Sequence, residues 1–550
     1  MTGQSVDASP AWFRSAERGS GHFHCGRSGT LPRLKAHWSI AAGSTDVRVG
    51  VVGAGVMGRG IAAASAVAGH EVLLYDVIPG AAQTALDEIE QGLARWASKG
   101  RITEAEAVLA RGRLRAAGAL TELSLCNIVV EAVVESLEAK QQVFAVLEDN
   151  VGTDAILATN TSSLSVAAIA RGTAHPERFL GMHFFNPVSA MDLVEIIPGP
   201  ATGSAILAGA QAFVRSLGKT DVVVRDSPGF LVNLAGRALA TEALHIVQDG
   251  AASFRQVDTV ARRNLGFPLG PFELMDLTGM DVNYPVTANL FEHNFADDRL
   301  RSTWYHRWLF EAGMLGRKTG QGYYEYPERK TGPSAQDVPE PSGTVVPAVA
   351  VAGEFAKLLR GWLSEREVPV TNSVADAELC LVAAEGLDAS RTAAVLGTDP
   401  RRTVALDLLD PEGPITVLMV PPGVSSEAVG ALAEHLRRHQ DVEVIADTPG
   451  FIGQRLLAAV INLACDIAQR KIAAPADIDT AVRLGLGYPR GPLAWADHVG
   501  PKRIVRILDG MFEATRDPRY RCSPWLRRRA AAGLSCLEPD YEPGTPLSRL

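Results

Sequence analysis

The chain has 550 residues, of which 47% are hydrophobic and 21% charged, and its formal net charge is −9. At about 150 residues per domain, this length predicts three or four domains. The composition excludes fibrous and wholly disordered proteins, and the negative charge argues against general binding of nucleic acid. The six cysteines form no Cys-x-x-Cys pair, and no apolar stretch is long enough for a membrane span or a secretory signal. We therefore expect a cytoplasmic protein with no metal site and no membrane partner.

Two units are predicted at the start of the chain. Residues 1–45 are rich in Arg, Gly and Ser without a sustained hydrophobic period, which predicts a disordered extension. A transit peptide is the alternative for such an arginine-rich leader. Over residues 46–227, short apolar runs alternate with helical patterns. This alternation predicts a Rossmann-type domain, with a doubly wound parallel sheet.

Four further segments follow. Strand patterns stop after Pro228, and residues 228–326 read as helices separated by Gly-x-Pro turns, which predicts an all-α domain. Residues 327–347 are rich in Pro, Gly and Ser, which predicts a linker. Residues 348–446 alternate again and predict a smaller, degenerate Rossmann-like domain, and residues 447–540 predict a second helical domain.

An internal repeat relates the two helical segments. DSPGF at 226–230 recurs as DTPGF at 447–451, a shift of 221 residues. The same shift, without a gap, pairs Asp258 with Asp479, Gly266 with Gly487, Pro268 with Pro489, Asp276 with Asp497, and Gly279 with Gly500. We interpret this match as a duplication of the helical domain, of which only one copy need be catalytic.

A dinucleotide-binding fingerprint opens the first α/β segment. Gly53, Gly55 and Gly58 follow a predicted strand and begin a predicted helix, and Asp76 ends the next strand. Gly53 permits a tight turn, Gly55 lets the backbone approach a pyrophosphate, and Gly58 lets the helix pack on the strand. A carboxylate at Asp76 would bind the adenine ribose and repel a 2′-phosphate, so we predict NAD as cofactor. A glycine turn needed only for packing is the alternative.

A histidine and a carboxylate occupy neighbouring apolar segments. His183 lies in GMHFFNP at 181–187, and Glu195 shares a strand face with Leu193 and Ile197, where it needs a polar partner. A carboxylate bonded to one ring nitrogen would fix the tautomer of His183 and leave the other nitrogen to exchange a proton. This arrangement predicts a general base for alcohol oxidation. A hydrogen-bonded core histidine is the alternative.

Two polar segments allow both a structural and a functional interpretation. The segment 160–163 (NTSS) follows a predicted strand, which indicates a helix N-cap or a hydroxyl beside the cofactor. The segment 226–228 (DSP) predicts a cap with Pro in the first helical position. It makes Asn233 an early residue of a mostly apolar helix, where a polar side chain on its own has no special meaning.

Together these motifs resemble those of NAD-dependent L-3-hydroxyacyl-CoA dehydrogenases. The resemblance covers residues 47–326 and is carried by VGAGVMGRGIA, IVVEAVVESLEAK, ATNTSSL, GMHFFNPV, LVEII, DSPGFLVN, GFPLGPFELMDLTGMD and GRKTGQGYYEY. It implies reversible oxidation of an (S)-3-hydroxyacyl-CoA to a 3-oxoacyl-CoA, with His183 as the base and Glu195 as its partner.

The resemblance also implies roles for other side chains. It implies that the substrate hydroxyl or carbonyl is contacted by Ser162, Asn186 and Asn233. It places Glu135 and Lys140 beside the nicotinamide. Lys99 falls where the family has a lysine for the CoA phosphates, although Gly92 replaces a small polar neighbour.

The second half of the chain is similar to the long branch of this family. Members of that branch are associated with 3-hydroxyadipyl-CoA in phenylacetate breakdown, or with 3-hydroxybutyryl-CoA. The degenerate Rossmann-like segment, residues 348–446, forms an insert that has lost the three-glycine spacing at 349–361. In the second repeat, Gln454 stands where the first repeat has Asn233. We therefore predict one NAD and one active site. In short members two subunits pair through their helical domains. The resemblance therefore implies an internal pseudo-dimer, and a further homo-oligomer stays open.

Three other functions are compatible with parts of this sequence. A β-hydroxyacid dehydrogenase of free acids relies on a lysine, and the pair of His183 and Glu195 argues against it. A non-catalytic NAD-binding protein of the same fold stays open until turnover is measured. A bifunctional hydratase–dehydrogenase is disfavoured, because no hydratase-sized segment precedes residue 47.

Overall fold

The computed structural model describes residues 47–327 and 345–541. The predicted extension over 1–45 and residues 328–344 of the predicted linker lie outside the described residues. The strands are β1 (Arg48–Val52), β2 (Glu71–Tyr75), β3 (Leu114–Ala116), β4 (Ile128–Glu131), β5 (Ile156–Thr159), β6 (Phe179–Phe184), β7 (Leu193–Pro198), β8 (Thr220–Val223), β9 (Val349–Val351), β10 (Leu379–Ala383), β11 (Thr403–Leu406), β12 (Ile415–Val420) and β13 (Asp441–Ala446).

Nineteen α-helices are found in the described residues. They are α1 (Val56–Val67), α2 (Ala81–Ser98), α3 (Glu104–Gly112), α4 (Leu137–Asn150), α5 (Val166–Ala170), α6 (Ser204–Ser216), α7 (Val232–Gln248), α8 (Phe254–Arg263), α9 (Pro271–Thr278), α10 (Met280–His293), α11 (Trp304–Glu311), α12 (Ala356–Glu365), α13 (Ala389–Leu396), α14 (Ser426–Leu436), α15 (Ile452–Gln469), α16 (Pro475–Leu486), α17 (Pro492–Val499), α18 (Pro501–Thr515) and α19 (Pro524–Ala532). None of those in the described ranges is long and apolar enough to cross a membrane.

The first sheet has eight strands in the order β3-β2-β1-β4-β5-β6-β7-β8. The strands from β3 to β6 pair in parallel, but β7 runs antiparallel to β6. The sheet is therefore mixed, where the sequence predicted a parallel one. Residues 185–192, which join β6 to β7, are too few for the crossover that a parallel pair requires. This reversal sets His183 directly opposite Glu195 in the ladder.

The insert forms a separate sheet of five strands in the order β13-β12-β11-β10-β9. β9, β10 and β11 are parallel, and β12 runs antiparallel to β11. The insert therefore repeats the strand reversal of the first sheet on a smaller scale. It has α/β architecture, as the alternation over 348–446 predicted.

The two helical segments use the same local devices. In the first, Asp258 accepts the backbone N–H groups of Phe272 and Glu273, both at 2.9 Å, at the start of α9. In the second, Asp479 does the same for α17, accepting from Leu493 and Ala494 at 2.8 Å. The glycine before each helix is required for this contact, because a Cβ at Gly270 or Gly491 would lie 2.2 Å from the carboxylate carbon.

The two helical segments pack against each other through α7 and α15. Buried Arg455 on α15 donates to Glu242 on α7 at 2.6 Å. A second contact is aromatic: Phe267 meets the rings of Tyr488 and Trp495 at centroid distances of 4.8 and 5.7 Å. The apolar core runs without interruption from the first sheet through both helical segments.

Candidate active site

The glycine turn between β1 and α1 is shaped by close packing on two sides. Gly53 has φ of +106°, and a Cβ there would lie 2.5 Å from the carbonyl oxygen of Ala132. A Cβ at Gly58 would lie 1.8 Å from the carbonyl oxygen of Gly53. A Cβ at Gly55, in contrast, would meet nothing within 4 Å. The backbone at Gly55 is therefore open to a ligand at the N-terminus of α1.

A cavity of about 490 Å³ lies beside this turn, at the carboxyl ends of the parallel strands. Its lining combines Gly53, Gly55 and Asp76 with apolar side chains, among them Val77 and Ile78. Asp76 accepts backbone N–H groups from Ala54 at 2.7 Å and from Ile78 at 2.9 Å, one on each oxygen. Each oxygen keeps a lone pair for a ribose hydroxyl. These residues fit an adenine dinucleotide.

His183 and Glu195 form a buried hydrogen-bonded pair across β6 and β7. Nδ1 of His183 lies 2.7 Å from Oε2 of Glu195. An ionised carboxylate can only accept, so Nδ1 carries a proton, and in the neutral imidazole Nε2 is then left as an acceptor. Nε2 makes no hydrogen bond within the described ranges. The ring of Phe185 lies 4.4 Å from that of His183 and restricts its orientation.

Glu195 also caps α7, which corrects the helix start predicted from the sequence. Its Oε1 accepts the backbone N–H groups of Leu231 at 3.1 Å and Val232 at 2.8 Å, so α7 begins at Val232. The predicted cap at Asp226 is wrong. Asp226 instead accepts from the Ser165 hydroxyl at 2.9 Å. A carboxylate from the sheet thus replaces a local cap, and the positive end of the helix dipole favours its negative charge.

The loop after β5 is held by Glu135. This carboxylate accepts from the Thr161 hydroxyl at 2.6 Å and from the backbone N–H groups of Ser162 and Ser163 at 3.0 and 3.1 Å. Burial alone would raise the pKa of Glu135, but the bond from Thr161 and the charge of Lys140 outweigh it and lower the pKa. The N-cap of the next helix is Ser165, so the segment 160–163 is not a cap. Its geometry leaves the Ser162 hydroxyl exposed and without a described hydrogen-bond partner.

Glu131 is a polar residue of this region that the sequence analysis missed. It is fully buried at the end of β4, where it accepts from Nζ of Lys140 at 2.7 Å and from the Thr159 hydroxyl at 2.7 Å. Lys140 also lies 3.2 Å from Glu135. The available signal was a carboxylate ending the apolar run IVVE. Glu131 and Lys140 together fix where the loop after β5 leaves the sheet.

Three other predicted residues, Asn186, Asn233 and Lys99, lie at different places relative to the pair of His183 and Glu195. Asn233 lies in the first turn of α7, directly after the residues that Glu195 caps, and Asn186 is exposed just beyond the end of β6. Neither side chain makes a hydrogen bond within residues 47–327 and 345–541. Lys99 is exposed at the end of α2, and no described contact connects it with His183. The roles of these side chains stay predictions.

In the second helical segment, Gln454 stands at the position that corresponds to Asn233. Gln454 is buried, and it accepts from the N–H of Gly386 at 2.9 Å. It donates to the carbonyl of Ala384 and to Asp407, both at 2.9 Å. Both the oxygen and the nitrogen of the Gln454 amide are therefore hydrogen-bonded within the chain.

Replacing Gln454 with alanine should lower the free energy of unfolding while leaving turnover unchanged. The substitution leaves the N–H of Gly386 buried without a partner and removes one of the hydrogen bonds to Asp407, which costs about 1–3 kcal/mol. Chemical denaturation and steady-state kinetics measure the two effects. A fall in turnover at full folding would contradict the interpretation of this segment as non-catalytic.

A mixed α/β sheet with an open glycine turn, an acidic residue on the ribose side and a histidine–carboxylate pair defines a Rossmann-type nicotinamide-dependent oxidoreductase. The chain belongs to the 3-hydroxyacyl-CoA dehydrogenase family. The model of the family's NAD-binding domain matches residues 48–227. The model of its C-terminal domain matches twice, over 229–326 and 450–536. The cofactor is therefore NAD, as the fingerprint predicted.

Known relatives agree with this assignment. The 3-hydroxyadipyl-CoA dehydrogenase of Escherichia coli K12 is 34% identical over 496 residues, which is 90% of this chain and 98% of the relative. The 3-hydroxybutyryl-CoA dehydrogenase of Bradyrhizobium diazoefficiens is 38% identical over 52% of this chain and 98% of its own length. A crystal structure of 3-hydroxybutyryl-CoA dehydrogenase from Escherichia coli K12 superposes with a TM-score of 0.77 at 32% identity, covering 88% and 98% of the two chains.

Asp76 should give the protein a preference for NAD over NADP of about 10²-fold in kcat/KM, because a carboxylate beside a 2′-phosphate is repulsive. Replacing Asp76 with alanine should reduce this ratio. The matched control is Asp87 on α2, whose side chain accepts from Gln83 at 2.9 Å and does not line the cavity beside the glycine turn. Replacing Asp87 with alanine should leave the ratio as it is. Equal use of both cofactors by the unmodified protein would show that another residue controls the ribose pocket.

Proposed function

We propose that this chain catalyses the reversible, NAD-dependent oxidation of a short (S)-3-hydroxyacyl-CoA to the 3-oxoacyl-CoA. The observation that carries the proposal is the 2.7 Å hydrogen bond between Nδ1 of His183 and Glu195, which directs the unprotonated Nε2 away from the carboxylate. A neutral imidazole with a free acceptor nitrogen is suited to remove the proton of an alcohol.

In the forward direction, His183 takes the proton of the substrate C3 hydroxyl on Nε2. NAD, when bound, supplies the hydride acceptor for C3. Glu195 is a positioning residue, because its charge stabilises the imidazolium that forms while its other oxygen remains bonded to the start of α7. The same carboxylate thus fixes the base and the helix that carries Asn233.

Three side chains are proposed to orient the reacting oxygen. The hydroxyl of Ser162 and the amides of Asn186 and Asn233 offer polar groups without described partners, so each can donate to or accept from the substrate without breaking an existing bond. Glu135 acts through the loop that it holds, and Lys140 acts with it at the nicotinamide side. Lys99, exposed at the end of α2, is proposed to contact the CoA phosphates.

The reaction is tested by NADH formation with a panel of acyl-CoA substrates. The names of the relatives favour 3-hydroxyadipyl-CoA or 3-hydroxybutyryl-CoA. A subunit of a fatty acid oxidation complex among the relatives favours a place in fatty-acid breakdown, and phenylacetate breakdown stays an expectation from the family resemblance. We expect turnover with CoA thioesters and little with the free 3-hydroxy acids. Turnover of free acids alone would favour a β-hydroxyacid dehydrogenase. No turnover with any member of the panel would favour a non-catalytic NAD-binding protein.

We also propose that the two helical segments form an internal pseudo-dimer, in which the second takes the place of a partner subunit. The packing of α7 on α15 supports this proposal.

A reducing, cytoplasmic location is inferred from the five described cysteines, which are all buried and free.

A further inference from the structure

One arginine on the helix that carries Asn233 has no anionic partner in the described part of the chain. Arg237 lies on α7 one turn after Asn233 and is half-buried. It donates from Nη1 to the Thr287 hydroxyl at 3.1 Å and, more weakly, to Oδ1 of Asn283 at 3.4 Å. Its Nε is shielded from solvent and has no hydrogen bond. Burial lowers the pKa of Arg237, yet a guanidinium remains charged at any physiological pH.

The lack of a carboxylate distinguishes Arg237 from other arginines that are buried in the helical segments. Those residues have acidic partners: Arg455 pairs with Glu242, Arg519 with Asp517, and Arg529 with Asp540. Within the described ranges, no carboxylate lies within ion-pair distance of Arg237. A guanidinium that is shielded from solvent without a counter-charge is destabilising, so one on the same helix as Asn233 indicates a site for an anionic ligand.

Two further polar atoms near Arg237 also lack partners. The hydroxyl of Tyr488, which comes from the second helical segment, and Nε2 of His306 are both buried without a hydrogen bond. Burial, with a smaller effect from the charge of Arg237, lowers the pKa of His306 to about 4, so its ring is neutral. The cluster of Arg237, Tyr488 and His306 therefore combines one positive charge with two neutral groups that can donate hydrogen bonds.

We propose that Arg237 binds the terminal carboxylate of a dicarboxylic 3-hydroxyacyl chain of about six carbons. This inference rests on the proposed function, because it takes Asn233 as a contact of the reacting C3 oxygen. Residues four apart lie on one face of a helix, so Arg237 and Asn233 share a face of α7.

The length of the acyl chain fits this spacing. Asn233 and Arg237 are four residues apart, about 6 Å along the helix axis. Three carbon–carbon bonds separate C3 from a terminal carboxylate at C6, roughly 4 Å in an extended chain. The planar guanidinium can then make two parallel bonds to the carboxylate. A four-carbon chain ends in a methyl group at C4 and would leave Arg237 unpaired.

Selectivity between two substrates with the same number of carbons tests the inference. We compare kcat/KM for 3-hydroxyadipyl-CoA and for 3-hydroxyhexanoyl-CoA, which lacks only the carboxylate. The unmodified protein should prefer the dicarboxylic substrate by about 10²-fold, and Arg237→Met should remove most of that preference. The matched control is Arg178→Met, because Arg178 is also buried but donates to the carbonyls of Gly152 and Glu148 far from α7. It should retain the preference.

A binding measurement separates this inference from the proposed reaction. Adipyl-CoA and hexanoyl-CoA lack the 3-hydroxyl and are not oxidised, so calorimetry reports their affinities alone. The unmodified protein should bind adipyl-CoA more tightly. Tyr488→Phe, which removes one hydroxyl and keeps the ring, should narrow the difference by roughly tenfold even if Arg237→Met does not fold.

The outcomes are distinct. Equal affinity for the two ligands, or a preference that survives both Arg237→Met and Tyr488→Phe, would overturn the role of Arg237 while leaving the oxidation of neutral 3-hydroxyacyl-CoA intact. Absence of turnover with every 3-hydroxyacyl-CoA would overturn the proposed function instead. A preference for the dicarboxylic ligand that is lost in both variants supports the inference.

Discussion

Replacing His183 with glutamine is expected to lower turnover by roughly 10²–10⁴-fold, the usual contribution of a positioned general base. Glutamine keeps a polar side chain of similar reach opposite Glu195, but it has no nitrogen that can take the proton of the substrate hydroxyl. Affinity for NAD should remain near that of the unmodified protein, because His183 does not line the 490 Å³ cavity beside the glycine turn. Single-turnover kinetics and NAD titration measure the two quantities.

The control for this substitution is a second buried histidine. His70 is held by Ser216 through Nε2 at 2.8 Å and lies at the start of β2, away from Glu195. Replacing His70 with glutamine should affect stability rather than turnover. Substantial activity in the His183 variant would falsify the assignment of the base and would return this residue to the alternative of a core histidine.

The features that the sequence predicted correctly are local ones. The glycine turn and the alternation of strands with helices depend on residues close together in the chain, where steric and periodic rules apply directly. Capping of α7 was mispredicted because Glu195 reaches it across the fold from more than thirty residues earlier. The pairing of Glu195 with His183 could be predicted only because a carboxylate in an apolar strand requires a polar partner. The reversal of β7 then provides that contact.

Arg237 shows what a pattern of residues cannot reveal. An arginine in a helix is ordinarily exposed, and nothing in the sequence near Arg237 marks it as unpaired. Its environment is built by Thr287 and His306 from the same helical segment and by Tyr488 from the duplicated one. The carboxylate site proposed at Arg237 therefore draws on both copies of the duplicated segment, and only the packing of the two segments reveals their proximity.

Ending the chain after residue 327 is expected to cause self-association or aggregation of the remaining protein. The deletion removes α15 from α7 and removes Tyr488 from Phe267, which exposes a continuous apolar surface. It also removes both arginine partners of Glu242, Arg455 and Arg519. Exposed apolar surfaces of this kind are typical of protein interfaces. Light scattering and size-exclusion chromatography over a range of protein concentrations measure the result.

Supplying residues 345–541 as a separate chain tests whether this surface is the cause. If the second helical segment acts as a covalently attached partner, co-expression should restore a soluble one-to-one complex, which dissociates on dilution. The intact chain should not dissociate, because its covalent connection fixes the effective concentration of the partner surface. In the complex, Arg455→Met should weaken association, since it removes the charged hydrogen bond that Arg455 donates to Glu242 at 2.6 Å and leaves only the longer ion pair with Arg519 at 3.5 Å. A truncated chain that stays monomeric, soluble and fully active would show that α7 needs no partner, and the pseudo-dimer would have to be abandoned.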